Sequence, residues 1–305
     1  MLTDCFLYQI ICIFILGLIM GSFYNVIIFR TLSGESIINP PSKCPKCDTH
    51  LLWWQKIPVF SYLYLKGKCY FCKNDIDIMY PTVEFLSGML FVFDFIKFGF
   101  SLKFLFSIVV LSTFLILAGM DIQSNKISVK YTILALIAAV LFNYNSLADS
   151  VLGAVIGFGI FYVLKKISLN IFEKEVFGDG DIYLLSALGA FVGISHLVIT
   201  LVIALIFQFI FSLPAFVKNI LEAKQYKIFY YSAWFIISYV LFFMARIYVF
   251  NTNIFAKIFI FLNIIVPMFL VCKYLFSKIK KSEIALVEPF SPAIFLSLFL
   301  FLFLF

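Results

Sequence analysis

The chain has 305 residues, of which 64% are hydrophobic and only 13% charged, with 41 phenylalanines. Soluble domains are roughly half apolar and about a quarter charged, so the composition excludes an ordinary soluble enzyme and indicates an integral membrane protein. The net charge of +7 is carried mostly by segments between the apolar runs, and nothing in it resembles a nucleic-acid module.

The first run, Phe6–Phe29, is long enough to cross about 30 Å of hydrocarbon as a helix. It follows MLTDCF, which has no basic n-region and no small-residue cleavage site, so it reads as a retained span rather than a removed signal peptide. No alternating-residue pattern appears, which argues against an outer-membrane barrel. Between Arg30 and Pro81, seven Lys/Arg stand against four acids. The positive-inside bias therefore puts this loop in the cytoplasm, beside anionic headgroups, and the N-terminus outside. Further spans are expected at about 82–98, 104–120, 131–147, 149–165, 182–196, 197–217, 228–250, 253–274 and 289–305. Alternation leaves the lysine-bearing segments "KNILEAKQYK" and "SKIKKSE" on the same side as the basic loop. No internal repeat is visible.

The expected fold is an all-α polytopic membrane protein, a bundle of about eight to ten transmembrane helices with a small cytoplasmic zinc-binding loop domain. The expected divisions are a first helix at 1–29, the loop at 30–81, a membrane core at 82–217, an extra apolar segment at 218–287 with room for two helices, and a final span at 288–305.

The loop carries "CPKC" (Cys44, Cys47) and "CYFC" (Cys69, Cys72), two C-x2-C knuckles separated by 21 residues. Four thiolates so spaced suit tetrahedral zinc at about 2.3 Å per Zn–S bond, and a loop too small for an apolar core gains its stability from such a metal. Two disulfides are the competing reading, opposed by a reducing cytoplasm. Four cysteines leave no open coordination position, so the metal is expected to be structural. His50 reads as a solvent-exposed residue rather than a ligand, and Cys5, Cys12 and Cys272 as packing residues in apolar runs.

Asp121 ends the third span in "LAGMDIQSNKIS", and Asp181 opens the sixth in "GDGDIYLL". The topology brings both to one membrane surface. Two carboxylates meeting there can share a proton, one activating a water while the other protonates a carbonyl oxygen or leaving amine. Gly178 and Gly180 are expected to permit positive φ and the close approach of a substrate strand. The bland readings are that Asp181 is only a helix N-cap and Asp121 only an interfacial acid. Asp179 is a bystander, or part of a cation site. Asn25 and Ser22 suit hydrogen bonding to a neighbouring helix, and Glu84 suits either substrate positioning or snorkelling. Asp94 and Lys97 are expected at the outer interface, and Trp53 and Trp54 on the membrane surface.

Taken together, these segments resemble the bacterial type IV prepilin leader peptidases, membrane aspartyl proteases of the GxGD type. "GSFYNVIIFR" (Gly21–Arg30) is similar to the family's GSFxNVxxxR, and the paired knuckles follow it. "YPTVEFLSG" (Tyr80–Gly88) is similar to YPxVExLTG, and "GDGDIYLLSALGAFVG" (Gly178–Gly193) to GxGDxKLxxxxGxxxG. The C-terminal "EPFSPAIFLSL" is similar to PFGPFLALG. The resemblance implies that Asp121 and Asp181 are the catalytic pair and that Gly178, Gly180, Glu84 and Asn25 serve positioning. It implies leader cleavage after glycine on the cytoplasmic side of the bacterial inner membrane. It also implies N-methylation of the new terminus from S-adenosylmethionine. The implied partners are prepilin or pseudopilin substrates, membrane lipid, and pilus or type II secretion assembly proteins. Two positions depart from the pattern: Tyr183 stands for a usual lysine, and Ile127-Ser128 for a usual Ile-Pro. The competing functions are a non-catalytic scaffold docked through its zinc loop, and a cation-coupled transporter using Asp121, Asp179 and Asp181. Against the transporter, its acids lie at one surface and not at the midplane.

Overall fold

In the computed structural model, residues 2–39, 41–172, 178–222 and 291–304 are described. The expected spans at 228–250 and 253–274 lie outside them. The chain divides into two units, and everything below concerns the first, drawn from Met1–Lys165, Phe177–Gln208 and Glu288–Phe305.

The described residues are all-helical apart from the loop, and five helices are long and apolar enough to cross a membrane. In chain order the helices are α1 (Leu2–Ser33), the short α2 (Phe60–Tyr64) within the loop, α3 (Met79–Phe98) and α4 (Leu102–Ser124). They continue with α5 (Val129–Phe142), α6 (Leu147–Phe172), α7 (Asp179–Glu222) and α8 (Ser291–Leu304). Satisfying every main-chain group internally is what a hydrocarbon environment demands, and helices do so.

The central element is α4, packed by α1, α3, α5 and α8. Its Leu111, Phe114, Leu117 and Met120 are fully enclosed, whereas Leu7, Val155 and Val198 on outer helices are more than half exposed, as lipid-facing residues should be. One polar pair inside the bundle spans two helices: Tyr24 donates to Ser112 at 2.7 Å, joining α1 to α4. On α1, Gly21 lies so close to α3 that a Cβ there would stand 2.6 Å from Glu84 Cα, which accounts for the glycine in GSFYN.

Three local features differ from expectation. Asp94 is enclosed in the bundle at 3% exposure and accepts a 2.6 Å hydrogen bond from Ser107, because α4 covers that face of α3. Cys12 is exposed on α1 instead of packed. The expected break between 196 and 197 falls instead at Gly193, where φ is 71° inside α7. There the Ile194 N–H turns to Asp149 Oδ1 at 3.2 Å, while Ser150 and Asn143 donate to the freed Ala190 carbonyl at 2.7 and 2.8 Å. The kink is thus sealed by neighbouring side chains, the usual condition for one inside a membrane.

Candidate active site

The last turn of α4 carries Asp121, and the helix stops at Asn125, which adopts the left-handed conformation (φ 51°, ψ 36°) and returns its N–H to the Asp121 carbonyl at 2.8 Å. Asparagine tolerates that conformation better than most residues. The Asp121 carboxylate is 5% exposed. Its Oδ2 accepts two bonds from the start of α8: the Ser291 N–H at 3.0 Å and the Ser291 hydroxyl at 2.8 Å. A helix N-terminus is a natural seat for a carboxylate, since its first N–H groups have no partner within the helix. Pro292, lacking an N–H, fits the first turn of α8.

Asp181 enters from the first turn of α7. Its Oδ2 accepts the Gly178 N–H at 3.0 Å, while its own N–H donates to the Gly178 carbonyl at 3.2 Å. Asp181 is therefore not the N-cap itself; it reaches back to the residue before the helix, as the acid of a capping box does. The carboxylates of Asp121 and Asp181 lie close enough for their charges to interact. Each has one oxygen held by N–H donors.

What brings them together is the loop between α4 and α5. Ile127 packs against the core and against Gly180, where a Cβ would stand 2.6 Å from the Ile127 Cβ. Neither Gly178 nor Gly180 has a positive φ. Their expected conformational role is thus corrected: Gly180 is glycine because Ile127 leaves no room, and the space around Gly178 is nearly open. Ser128, the residue before α5, has φ −81°, within reach of the proline it replaces, so that departure leaves the loop path intact. Tyr183 packs its ring near Phe158, with centroids 6.1 Å apart.

Asp179 pairs with Lys165 at 2.7 Å. Among the described residues the three aspartates do not form a metal-holding group; the only such group is Cys44, Cys47, Cys69 and Cys72. Their four sulfurs lie within 4.8 Å of one another, and Cys44 and Cys72 are 3.9 Å apart. A tetrahedron with bonds of about 2.3 Å has edges of about 3.8 Å, so the donor set fits a zinc-sized thiophilic ion. The two knuckles repeat one backbone pattern. Cys44 N–H bonds Thr49 O, and Cys69 N–H bonds Asn74 O; Asp48 and Lys73 each take positive φ; and bridges join Lys43 to His50 and Lys68 to Asp75. His50 is exposed and outside the group. Hydrogen bonds from Thr49 bring the Cys47 thiol down to about 6, while burial pushes Cys44 up to about 11.

Glu84 and Asn25 sit elsewhere. Buried Glu84 accepts the Val59 N–H at 2.7 Å and so anchors the loop domain to α3. Val59 has a φ of 58°, a strained value for a β-branched residue, and the bond offsets part of that cost. Asn25 donates to the Tyr80 carbonyl at 2.9 Å. Trp54 stands edge-on to Tyr64 and Tyr70 inside the loop domain, leaving Trp53, at 79% exposure, as the outward tryptophan. Ser291 was missed by sequence reasoning, although a Ser-Pro pair opening an apolar run is a recognisable helix-start signal.

Family models cover most of this architecture. Residues 15–98 match the bacterial peptidase A24 N-terminal domain, and residues 108–213 match the type IV leader peptidase family. A prepilin leader peptidase/N-methyltransferase of Klebsiella pneumoniae is 34% identical over 206 residues, covering 63% of this chain and 89% of the relative. The chain belongs to the type IV leader peptidase family. That membership makes it a peptidase, with the four-cysteine loop in the first matched region and both aspartates in the second. The like-named protein of Neisseria gonorrhoeae is 32% identical, covering 60% of this chain and 74% of the relative. That of Myxococcus xanthus is 34% identical over 59% of this chain, which spans 55% of the relative's length. No solved structure matches. Neither family match extends past residue 213, so Ser291 lies beyond both.

Proposed function

We propose that this type IV leader peptidase is an aspartyl endopeptidase that cuts prepilin-like proteins after the final glycine of their leader, on the cytoplasmic side of the inner membrane. The N-terminus lies outside, and the protein also methylates the new terminal amine. The observation that carries the reading is that Asp121 and Asp181, from separate helices, stand at one end of the bundle, where Gly180 beside Asp181 packs on Ile127 of the segment that follows Asp121.

In this mechanism the pair shares one proton. The ionised carboxylate takes a proton from a water as it attacks the scissile carbonyl, and the protonated one donates toward the carbonyl oxygen. Ser291 and Gly178 fix the two carboxylate planes, so the reacting oxygens need no reorganisation. Cys44, Cys47, Cys69 and Cys72 hold a structural zinc, which folds the loop and takes no part in the cut. S-adenosylmethionine supplies the methyl group for the second activity.

The reading is tested by mass spectrometry of a model prepilin incubated with inside-out and sealed right-side-out vesicles. The expected product begins after the leader glycine, carries one added methyl, and forms only where the basic loop is accessible. Cleavage at another bond, or from the opposite side, would overturn it.

A further inference from the structure

N-methylation needs a seat for its methyl donor, and the sequence has no glycine-rich nucleotide motif. The structure has a cavity of about 780 Å³ between the end of α1, the four-cysteine loop and the start of α3. Neither Asp121 nor Asp181 lines it. We propose that this cavity is the binding site for the methyl donor, an adenosyl-bearing methylsulfonium amino acid. The inference rests on the family reading for the existence of methyl transfer, and goes beyond it in assigning the site.

Its volume falls in the range of about 300–1,000 Å³ usual for small-molecule pockets. Its wall contains an unsatisfied group: Asn25 is 2% exposed, lines the cavity, and leaves Oδ1 without a hydrogen bond. The Tyr80 carbonyl accepts from the amide NH2, which fixes the orientation of the amide and makes the unpaired atom an acceptor. Buried acceptors in native structures normally find a donor, and the amino group of an adenine supplies one. Phe29 and Tyr80, also in the wall, stack with centroids 4.5 Å apart, and aromatic walls suit both a flat base and a sulfonium cation. Arg30 and the carboxylates of Asp77 and Glu84 complete a lining of both signs, as a ligand with a carboxylate, an ammonium and a sulfonium requires.

The cavity also lies in the right place. Asp77 in its wall accepts a hydrogen bond from Gln123 at 3.2 Å, and Gln123 is on the same last turn of α4 as Asp121. One side chain therefore joins the cavity wall to the aspartate end, and an amine freed there has a short path to the donor. In the transfer, the neutral amine's lone pair forms the N–C bond to the methyl carbon as the C–S bond breaks. The C–S electron pair stays on sulfur, and one nitrogen proton passes to Asp77 or Glu84.

The test is equilibrium binding of S-adenosylhomocysteine to the purified, zinc-loaded full chain, its Asn25→Leu and Val26→Trp forms, and Asp181→Asn. Wild type and Asp181→Asn should bind alike. The two cavity variants should bind at least about tenfold more weakly with unchanged zinc content and melting temperature. Photo-crosslinking of labelled S-adenosylmethionine to the wild type needs no variant to fold, and its label should fall within residues 22–35, 42–56 or 61–84. Equal binding by the cavity variants, label outside those segments, or no binding by the zinc-loaded wild type would each overturn the assignment. Prepilin cleavage is followed in parallel: a wild type that cuts but does not bind removes the cavity alone. One that binds but does not cut removes the peptidase reading and leaves the cavity standing.

Discussion

The four-cysteine loop and the aspartate end of the bundle are built on opposite principles. Each cysteine knuckle is a local device: six residues, one positive φ and one isolated bridge set two sulfurs, and the pattern occurs twice, at Lys43–His50 and again at Lys68–Asp75. The aspartate end has no such local rule. It needs the last turn of α4, the Ile127 loop, the first turn of α7 and the start of α8, with Ser291 lying 170 residues from Asp121. Loss of a metal from the loop is therefore expected to leave the bundle undisturbed, whereas small steric changes far apart in sequence should reach the aspartates.

The largest separation is expected from metal removal. A four-cysteine zinc site contributes on the order of 10 kcal/mol of apparent binding free energy, most of it to folding the segment that holds it. Chelation, or Cys44→Ser with Cys47→Ser, should abolish protease resistance between residues 41 and 78 while leaving the bundle's melting transition in place. Limited proteolysis beside calorimetry reads both. Gly180→Ala should act in the opposite way, leaving zinc content unchanged but forcing the start of α7 away from Ile127. A displacement of about 1 Å can cost roughly a hundredfold in rate, so cleavage should fall by about that factor and recover in part with Ile127→Gly. A smaller effect is expected for Ser291→Ala, which removes the hydroxyl donor but keeps the main-chain N–H on Asp121. One hydrogen bond of about 1.5 kcal/mol corresponds to roughly tenfold in turnover, with KM unchanged and most of the rate restored by Ser291→Thr.

The same contrast explains what could be read from the chain. Ligand spacing in the knuckles is a local signal, so the metal group was legible from CPKC and CYFC alone. GDGD and its partner segment single out the two aspartates as candidates, and the apolar runs carry the expectation that both reach one surface. Their surroundings were not legible. Nothing local shows that Ile127 presses on Gly180, so the glycine was credited with torsional freedom that it does not use. The partner of Glu84, the Val59 N–H, is not legible because it lies 25 residues away in sequence. The enclosure of Asp94 is not legible because hydropathy gives depth in the membrane but not which face a neighbouring helix covers. The break in α7 was misplaced for a related reason: a continuous apolar run has no period to mark a kink, and Gly193 is fixed by Asp149, Ser150 and Asn143 from another part of the chain.

The central claim is that Asp121 and Asp181 act as one unit, and single and double Asp→Asn variants test it most directly. Each single change should lower prepilin cleavage by roughly 10²–10⁴-fold, and the double variant should be no worse than either single one, because the partners of a shared proton fail together. Zinc content and melting temperature should stay at wild-type values. A single variant that still cuts at the wild-type rate, or losses that multiply in the double variant, would contradict the account.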